Sequence, residues 1–263
     1  MKDTGIYKIT ILFLLFIIFL QWMFMATKPK VAPKVAPSRP APVSFKGNIA
    51  IVIDDWAYNM NNLKILDRIA FPITCSVLPN LSYTREIAEE LHARGFEVIL
   101  HLPMEPHEKF RLEKNTILVS MNESAIQDIL AADLGDLAYV RGVSNHMGSM
   151  ATEDARVMET VFRELKKRNL YFLDSVVTAK SVGAAVAKKT GLRFARRDIF
   201  LDNVEDPAYI KKQIQKLKSK ARSSGQAVGI GHDRRITLEV LAEVLPELKR
   251  EGYRLVFVSE LAK

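Results

Sequence analysis

The sequence predicts an α/β fold: a distorted (β/α) barrel of seven or eight units, preceded by an N-terminal transmembrane helix and a proline-rich linker. Three observations predict it. Residues Ile9–Met25 are almost uninterruptedly apolar, prolines concentrate in Lys28–Pro42, and from Asn48 onward short β-branched runs alternate with amphipathic stretches. A composition of 48% hydrophobic and 26% charged residues is ordinary for a globular chain. We therefore expect three regions, at residues 1–27, 28–47 and 48–263.

The apolar run near the N-terminus predicts a membrane helix. At about 1.5 Å per helical residue, Ile9–Met25 covers most of a hydrocarbon core of about 30 Å, and Trp22 suits the membrane interface. Lys2 and Lys8 precede the run, as in an export signal. No clean A-x-A cleavage site follows it, so we expect an uncleaved anchor. Secretion after signal cleavage is the alternative.

The next segment predicts a spacer, and its charge argues against one class of partner. Lys28–Pro42 holds five of the eleven prolines, a composition that favours extended polyproline II geometry and a stiff linker. The first 47 residues carry seven Lys and Arg against one Asp, which is +6 of the total net charge of +8. The rest of the chain is nearly neutral, so we expect no nucleic-acid partner.

The remaining residues predict alternating strands and helices, which is typical of a barrel, with a doubly wound open sheet as the alternative. Thr152, before Glu153, is expected to cap the fourth helix. The strands are expected at Ile49–Ile53, Ile73–Val77, Glu97–Leu100, Tyr139–Val143, Tyr171–Leu173, Arg193–Ala195, Ala227–Ile230 and Leu255–Val258. The helices are expected near Leu63–Ala70, Tyr83–Arg94, Glu123–Leu134, Glu153–Arg168, Ser181–Thr190, Pro207–Ser223 and Thr237–Arg250.

Ionisable side chains lie where the predicted strands end. In a parallel barrel these ends share one face, where active sites are built. A single residue of this kind often only caps a helix, but six strands that end in this way predict a functional site. The residues are Asp54, Asp55, His101, His146, Asp174, Asp202 and His232.

These residue types suit metal-assisted hydrolysis. One carboxylate and two neutral imidazoles form a ligand set for Zn²⁺ or a similar divalent ion and leave a position for water. The ion lowers the pKa of that water, and a neighbouring carboxylate takes its proton. Asp54 and Asp55 can divide these tasks if the strand ends in a turn, because adjacent side chains of a regular strand point to opposite faces. His232, across the site, can protonate a leaving group.

Several segments together resemble the divergent branch of the NodB-type polysaccharide deacetylases. The motifs are Val-Ile-Asp-Asp, His-Leu-Pro-Met-Glu-Pro, Asn-His-Met-Gly-Ser, Phe-Leu-Asp-Ser, Phe-Leu-Asp-Asn and Ile-Gly-His, within about Asn48–Leu261. The resemblance implies a distorted (β/α) barrel and metal-dependent removal of N-acetyl or O-acetyl groups from carbohydrate. It also implies that Asp54 is the base, Asp55 a metal ligand and His232 the acid.

The sequence departs from the better-known deacetylases in two ways. Those proteins take both metal histidines from one motif, whereas here His107 follows His101 at six residues, across two prolines. We therefore expect His101 and His146 to be the histidine ligands of one divalent ion, with Zn²⁺ the foremost candidate. The sequence also lacks the Arg-x-Pro motif that orients the base in that family.

The expected function is the removal of acetyl groups from an envelope or extracellular carbohydrate. The alternatives are a catalytically silent protein that binds metal and glycan, and hydrolysis of another ester or amide. Such substrates predict an anchor in a bacterial inner membrane, with the domain in the periplasm or another extracytoplasmic space. Glu105, Asp174 and Asp202 are expected to bind substrate, with helix capping as the alternative for each.

Overall fold

The computed structural model describes residues 4–27 and 44–263, which fall into two units that are described separately. In the first unit, helix α1 (Thr4–Ala26) is apolar and its side chains are exposed from Gly5 onward. By length and composition, Gly5–Ala26 is a candidate transmembrane span, as predicted, and a signal sequence has the same properties. Most of the predicted linker, residues 28–43, lies outside the described residues.

The second unit is a parallel sheet of nine strands with helices between them. The strands are β1 (Gly47–Trp56), β2 (Thr74–Val77), β3 (Glu97–Met104), β4 (Gly142–Met147), β5 (Tyr171–Asp174), β6 (Phe194–Arg196), β7 (Ile199–Phe200), β8 (Gln226–His232) and β9 (Tyr253–Val256). The helices are α2 (Leu63–Leu66), α3 (Thr84–Ala93), α4 (Glu123–Asp136), α5 (Ala155–Lys167), α6 (Gly183–Thr190), α7 (Pro207–Ser224) and α8 (Arg235–Glu251). The predicted alternation of strands and helices is confirmed.

The sheet curls into a half-barrel, in which β1 pairs with three other strands. Its hydrogen-bonded order is β6-β5-β4-β3-β2-β1-β8-β7, so β6 and β7 end this path, and β9 lies off it and pairs with β1. Strand β8 pairs with β1 along Asn48–Asp54. On the other edge of β1, β9 pairs with Gly47–Ala50 and β2 with Val52–Trp56. The distorted barrel is therefore confirmed in an open form.

Strand β7 and the start of helix α5 differ from the prediction for local reasons. Strand β7 was not predicted, because two residues are too short to show a period. Helix α5 begins at Ala155 rather than Glu153, because the side chain of Asp154 accepts a hydrogen bond from the Val157 amide and caps the helix. The Thr152 hydroxyl, predicted as the cap, instead donates to the Gly148 carbonyl at 2.7 Å.

Both faces of β1 are buried, which explains its continuous apolar sequence. Ile49, Ile51 and Ile53 pack in the larger core cluster, which includes the inner sides of the helices. Ala50 and Val52 belong to a second cluster contributed mainly by strands, which fills the interior of the curl. Side chains at even positions of β1 therefore face the interior.

Replacing Gly142 with alanine is expected to destabilise the domain. A Cβ atom at Gly142 would lie 2.6 Å from ring carbons of Tyr171, which is fully buried and held by a hydrogen bond to Glu97. Overpacking of this kind costs about 1–3 kcal/mol. We expect a fall of several degrees in the thermal unfolding midpoint of the purified chain in mild detergent.

The matched control is Gly135→Ala on helix α4, where a Cβ atom would meet no atom of the described residues 4–27 and 44–263 within 4 Å. Alanine is the better helix former by about 1 kcal/mol, so this variant should unfold at the same or a higher temperature. Equal midpoints for the two variants would show that the Tyr171 ring moves freely.

Candidate active site

Polar side chains replace apolar ones at the C-terminal end of the interior face. Asp54 continues the series of Ala50 and Val52 and is almost fully buried. It is aligned with His232 across the β1–β8 pair. The same end of the neighbouring strands carries His101 on β3 and His146 on β4. The sheet therefore brings four of the predicted site residues to one place.

A local break in β1 allows Asp55 to join them. Asp55 has a φ of 65°, and the pairing of β1 with β2 shifts register between Ile53 and Trp56. A left-handed conformation in a residue other than glycine costs about 1–3 kcal/mol and is concentrated at functional sites. The turn required for Asp54 and Asp55 to reach the same cleft is thus present, and it directs both carboxylates to one side of the strand.

Asp55, His101 and His146 form a compact cluster, called here the three-residue cluster. The Asp55 Oδ1 atom lies 3.2 Å from His101 Nε2 and 3.0 Å from His146 Nδ1. One candidate ligand atom from each residue lies within 4.8 Å of the others. The rings of His101 and His146 meet edge to face at 4.9 Å. Among the described residues, no other group of three or more His, Cys, Asp or Glu side chains has a spacing that suits a metal ion.

The polar atoms at this cluster are suited to binding a divalent cation. In the described part of the chain, His146 Nε2 and Asp54 Oδ1 are buried without a hydrogen-bond partner. Asp55 Oδ1 faces a ring nitrogen of each imidazole. Buried polar atoms without partners are costly, and one carboxylate with two imidazoles is a typical ligand set for Zn²⁺. A cation among these residues would satisfy atoms that the protein itself leaves unpaired.

The other two histidines lie elsewhere. His107 is half exposed, and its Nε2 atom lies 3.1 Å from Glu153 Oε2. The ring of His92, on α3, stacks on Tyr139 with ring centres 3.8 Å apart. The geometry thus favours His146 over His107 as the partner of His101, in line with the sequence-based choice.

The two adjacent carboxylates have opposite pKa shifts. Burial raises the pKa of Asp54, and this effect outweighs the lowering charge of His101, whose Nε2 atom lies 3.8 Å away. Burial also raises the pKa of Asp55, but contacts with His101 and His146 outweigh it and hold this pKa well below its ordinary value. A carboxylate that stays ionised suits a ligand, and one with a raised pKa suits a base.

His232 is held by a buried carboxylate. The Nδ1 atom of His232 lies 2.8 Å from Asp202 Oδ1, and the His232 amide donates to Asp202 Oδ2 at 2.8 Å. The Thr237 hydroxyl also donates to Asp202 Oδ2. Burial lowers the pKa of His232, but the hydrogen bond and charge of Asp202 outweigh it and raise the pKa above its ordinary value. His232 therefore keeps its proton to a higher pH.

The three residues predicted to bind substrate are engaged within the protein. Asp202 is fully buried with both oxygens hydrogen-bonded, which favours the orienting of His232 over direct contact with a ligand. Asp174 accepts from the Val176 amide at 2.7 Å and from the Ser181 hydroxyl at 2.6 Å, and so shapes the loop after β5. Glu105 accepts from the Val119 amide, which fixes the loop after β3. Substrate binding by these residues stays a prediction.

Sequence reasoning missed three polar residues of the site. Ser76 and Ser144 face the interior beside Asp54 and His101 and were hidden inside apolar strands. Side chains two residues apart in a strand share a face, so the position of Ser144, two residues before His146, would have predicted that it lies at the site. Asp233 donates its amide to the Asp54 carbonyl and accepts from Asn62, and burial raises its pKa to about 6.

This chain is similar to known proteins in sequence and in fold. The family model of the divergent polysaccharide deacetylases matches residues 51–262. The uncharacterized protein YibQ of Escherichia coli K12 is 36% identical over 202 residues, or 77% of this chain. Those residues are 63% of the E. coli protein, so the chain spans less than two thirds of that relative.

Two solved structures share the fold. An uncharacterized protein from Agrobacterium tumefaciens matches with a TM-score of 0.79 at 23% identity, over 85% of this chain and 92% of that one. A peptidoglycan N-acetylglucosamine deacetylase matches with a TM-score of 0.52 at 13% identity, over 83% and 91% of the two chains. At these identities the likeness concerns the fold alone. The match to the family model over most of the half-barrel shows that this chain belongs to the divergent polysaccharide deacetylase family.

Proposed function

We propose that this chain is a metal-dependent hydrolase that removes acetyl groups from an envelope or extracellular carbohydrate. The observation that carries the proposal is the meeting of the three-residue cluster with Asp54 and His232 at one end of the half-barrel. The family, and the peptidoglycan deacetylase among the similar folds, support an acetylated glycan as substrate.

The residues divide the chemistry as follows. Asp55, His101 and His146 would hold the ion, for which Zn²⁺ is the best match to two imidazoles and one carboxylate. When bound, such an ion supplies Lewis acidity and lowers the pKa of a water molecule. Asp54, next to Asp55 and buried, accepts the proton that water loses on attacking the acetyl carbonyl. His232 donates a proton to the departing amine or alkoxide, which leaves acetate and the deacetylated sugar.

The test is acetate release by the purified full chain in detergent. N-acetylated chitooligosaccharides and peptidoglycan fragments are the substrates, before and after treatment with a chelator. We expect release that disappears with the chelator and returns with added Zn²⁺. Binding of these glycans by metal-loaded protein without any acetate release would instead favour the alternative, a catalytically silent glycan-binding protein.

Replacing Asp202 with asparagine is expected to move the basic limb of the pH profile of kcat/KM to lower pH. Asp202 raises the pKa of His232 against the lowering effect of burial, so its loss lets the pKa fall. The acid is then deprotonated at a lower pH, and activity at neutral pH decreases. The His232 titration by NMR should move in the same direction.

The matched control is Glu153→Gln, which removes the carboxylate from a histidine–carboxylate pair outside the three-residue cluster, with His107. It should leave the pH profile unchanged. A basic limb that stays in place in Asp202→Asn would assign the acid to a group other than His232.

We also propose the domain organisation and its location. Residues 1–27 are the anchor, 28–47 the linker and 48–263 the catalytic domain, held on the extracytoplasmic side of a bacterial inner membrane. The candidate span Gly5–Ala26 supports this topology. Protease added to intact spheroplasts should degrade the domain. Protection until the cells are lysed would reverse the orientation, and recovery of the domain in the medium would indicate signal cleavage.

A further inference from the structure

Exposed apolar side chains of the second unit gather at the end of the sheet that carries the site. In its described residues, eight large apolar side chains are exposed. Six of the eight lie on loops that follow the C-terminal ends of strands, namely Tyr58, Tyr83, Phe110, Leu112, Val177 and Val204. The surroundings of the three-residue cluster therefore suit a ligand that has apolar faces as well as polar groups.

The loop that carries two of these side chains is attached near the cluster. Residues 108–113, called here the arm, lie between β3 and α4. At the start of the arm, Glu108 accepts a hydrogen bond from the Ser149 hydroxyl at 3.1 Å. Ser149 comes three residues after His146 in the chain, so this end of the arm is held close to one member of the cluster.

The other end of the arm is held near Asp55. Tyr58 comes three residues after Asp55, and its hydroxyl donates to Glu113 Oε1 at 2.6 Å. Burial and this hydrogen bond raise the pKa of Tyr58, and the negative charge of Asp55 adds to the increase. The arm therefore extends from the loop after β4 to the loop after β1, across the end of the sheet where the site lies.

The middle of the arm combines two cations with an exposed aromatic ring. Lys109, Phe110 and Arg111 are consecutive and exposed, and Phe110 is 60% accessible to solvent. Among the described residues, neither cation forms an ion pair with a carboxylate. The two carboxylates of the arm, Glu108 and Glu113, accept hydrogen bonds from hydroxyl groups instead. The two positive charges are thus available to a ligand.

The combination of these side chains indicates the chemistry of that ligand. A single exposed apolar or charged residue on a loop needs no explanation. An aromatic ring between two cations, held beside a candidate active site, matches a ligand with both apolar faces and negative charges. The C–H face of a sugar ring packs on an aromatic ring, and an arginine binds a carboxylate through two parallel hydrogen bonds. A sugar chain that carries carboxylates has both features.

We propose that the arm is part of the substrate site and selects a carbohydrate chain that bears carboxylate groups. Phe110 packs on a sugar ring, and Lys109 and Arg111 pair with carboxylates next to the sugar that enters the cluster. The carbohydrate nature of the ligand rests on the proposed function. The preference for carboxylates rests on the arm and is measured without turnover.

The experiment measures binding by the full chain in detergent, with Asp54→Asn so that the probes are not consumed. One probe is a peptidoglycan tetrasaccharide with free muramic acid carboxylates, and the other is the same tetrasaccharide with these groups converted to methyl esters. Isothermal titration calorimetry gives both affinities. We expect the acid to bind about 2–10-fold more tightly than the ester, as for one or two exposed ion pairs. High salt should reduce this difference.

Two variants separate the roles within the arm. Lys109→Gln combined with Arg111→Gln should lower the affinity for the acid to that for the ester. Phe110→Ala should instead weaken the binding of both forms alike, by about 2–10-fold, because the packing of an aromatic ring does not depend on the carboxylates.

The matched control combines Arg141→Gln with Arg168→Gln, which makes the same change in net charge. Both arginines are exposed and form no ion pair with a carboxylate in the described part of the chain. They lie just before β4 and β5, at the opposite end of the sheet. This variant should keep the full preference for the acid.

Three results would overturn the proposal. One is equal binding of the acid and the ester, or binding of neither, when the arm is intact. The second is a preference for the acid that survives the loss of Lys109 and Arg111. The third is loss of the preference in the control, which would assign the carboxylates to the other end of the sheet. Failure of the proposed function is seen differently, as the absence of acetate release from the wild type while the preference persists.

Discussion

Replacing His146 with alanine is expected to remove the bound divalent ion and abolish acetate release, while His107→Ala leaves both unchanged. His146 Nδ1 lies 3.0 Å from the Asp55 carboxylate, and its Nε2 atom is buried with no partner among the residues that the structure describes. His107 is half exposed beside Glu153. Loss of one of three ligands should weaken affinity by more than the 10–100-fold typical of a residue that only supports a ligand.

The measurement is the metal content of each purified variant after dialysis, by inductively coupled plasma mass spectrometry. Asp55→Ala and His101→Ala should be depleted like His146→Ala. His92→Ala is a second control, since its ring stacks on Tyr139 away from the cluster. A full complement of metal in His146→Ala together with an empty His107→Ala protein would assign the ion to the single motif used by the better-known deacetylases.

Asp54→Asn is expected to reduce kcat by about 10²–10⁴-fold, the usual contribution of a general base. The amide has nearly the same shape, and it cannot accept the proton that the attacking water must lose. Zn²⁺ content should remain near that of the wild type, because Asp54 is the proposed base and Asp55 the ligand. KM should change little, since Asp54 is almost fully buried.

Asp133→Asn is the matched control. Asp133 is also a buried carboxyl whose pKa is raised by burial. It lies on α4 and accepts hydrogen bonds from Asn80 and Asn115, away from the site. Its turnover should equal that of the wild type. If Asp54→Asn turns over at the wild-type rate, the proton passes to another group, and the carboxyl of Asp233, whose amide donates to the Asp54 carbonyl, is the next to replace.

The sequence reveals the location of the site because parallel strands impose it. Once Asp54, His101 and His232 are recognised at strand ends, the topology brings those ends together whatever the details of packing. The choice of His146 over His107 was also accessible, since prolines separate His101 from His107. Both inferences depend on the direction and order of the strands, which hydrophobic patterning reports well.

Other features depend on single dihedral angles or pairwise contacts, which patterning does not report. In a regular strand Asp55 would lie on the opposite face from Asp54. The left-handed turn that brings both to one face cannot be recognised from the apolar pattern of the sequence. Ser76 and Ser144 read as ordinary members of apolar strands until the neighbouring strands are placed. The engagement of Asp202 with His232 likewise depends on a contact across thirty residues.

The position of β1 in the sheet has a consequence for biosynthesis. Its partners β8 and β9 lie at the C-terminal end of the chain, about two hundred residues away, and β9 pairs with the first residues of β1. A nascent polypeptide therefore leaves one whole edge of its first strand unpaired until the last strands have been made. Contacts of such long range slow folding. The sheet, and with it an active centre that includes His232 on β8, should be completed only after these last strands have been made.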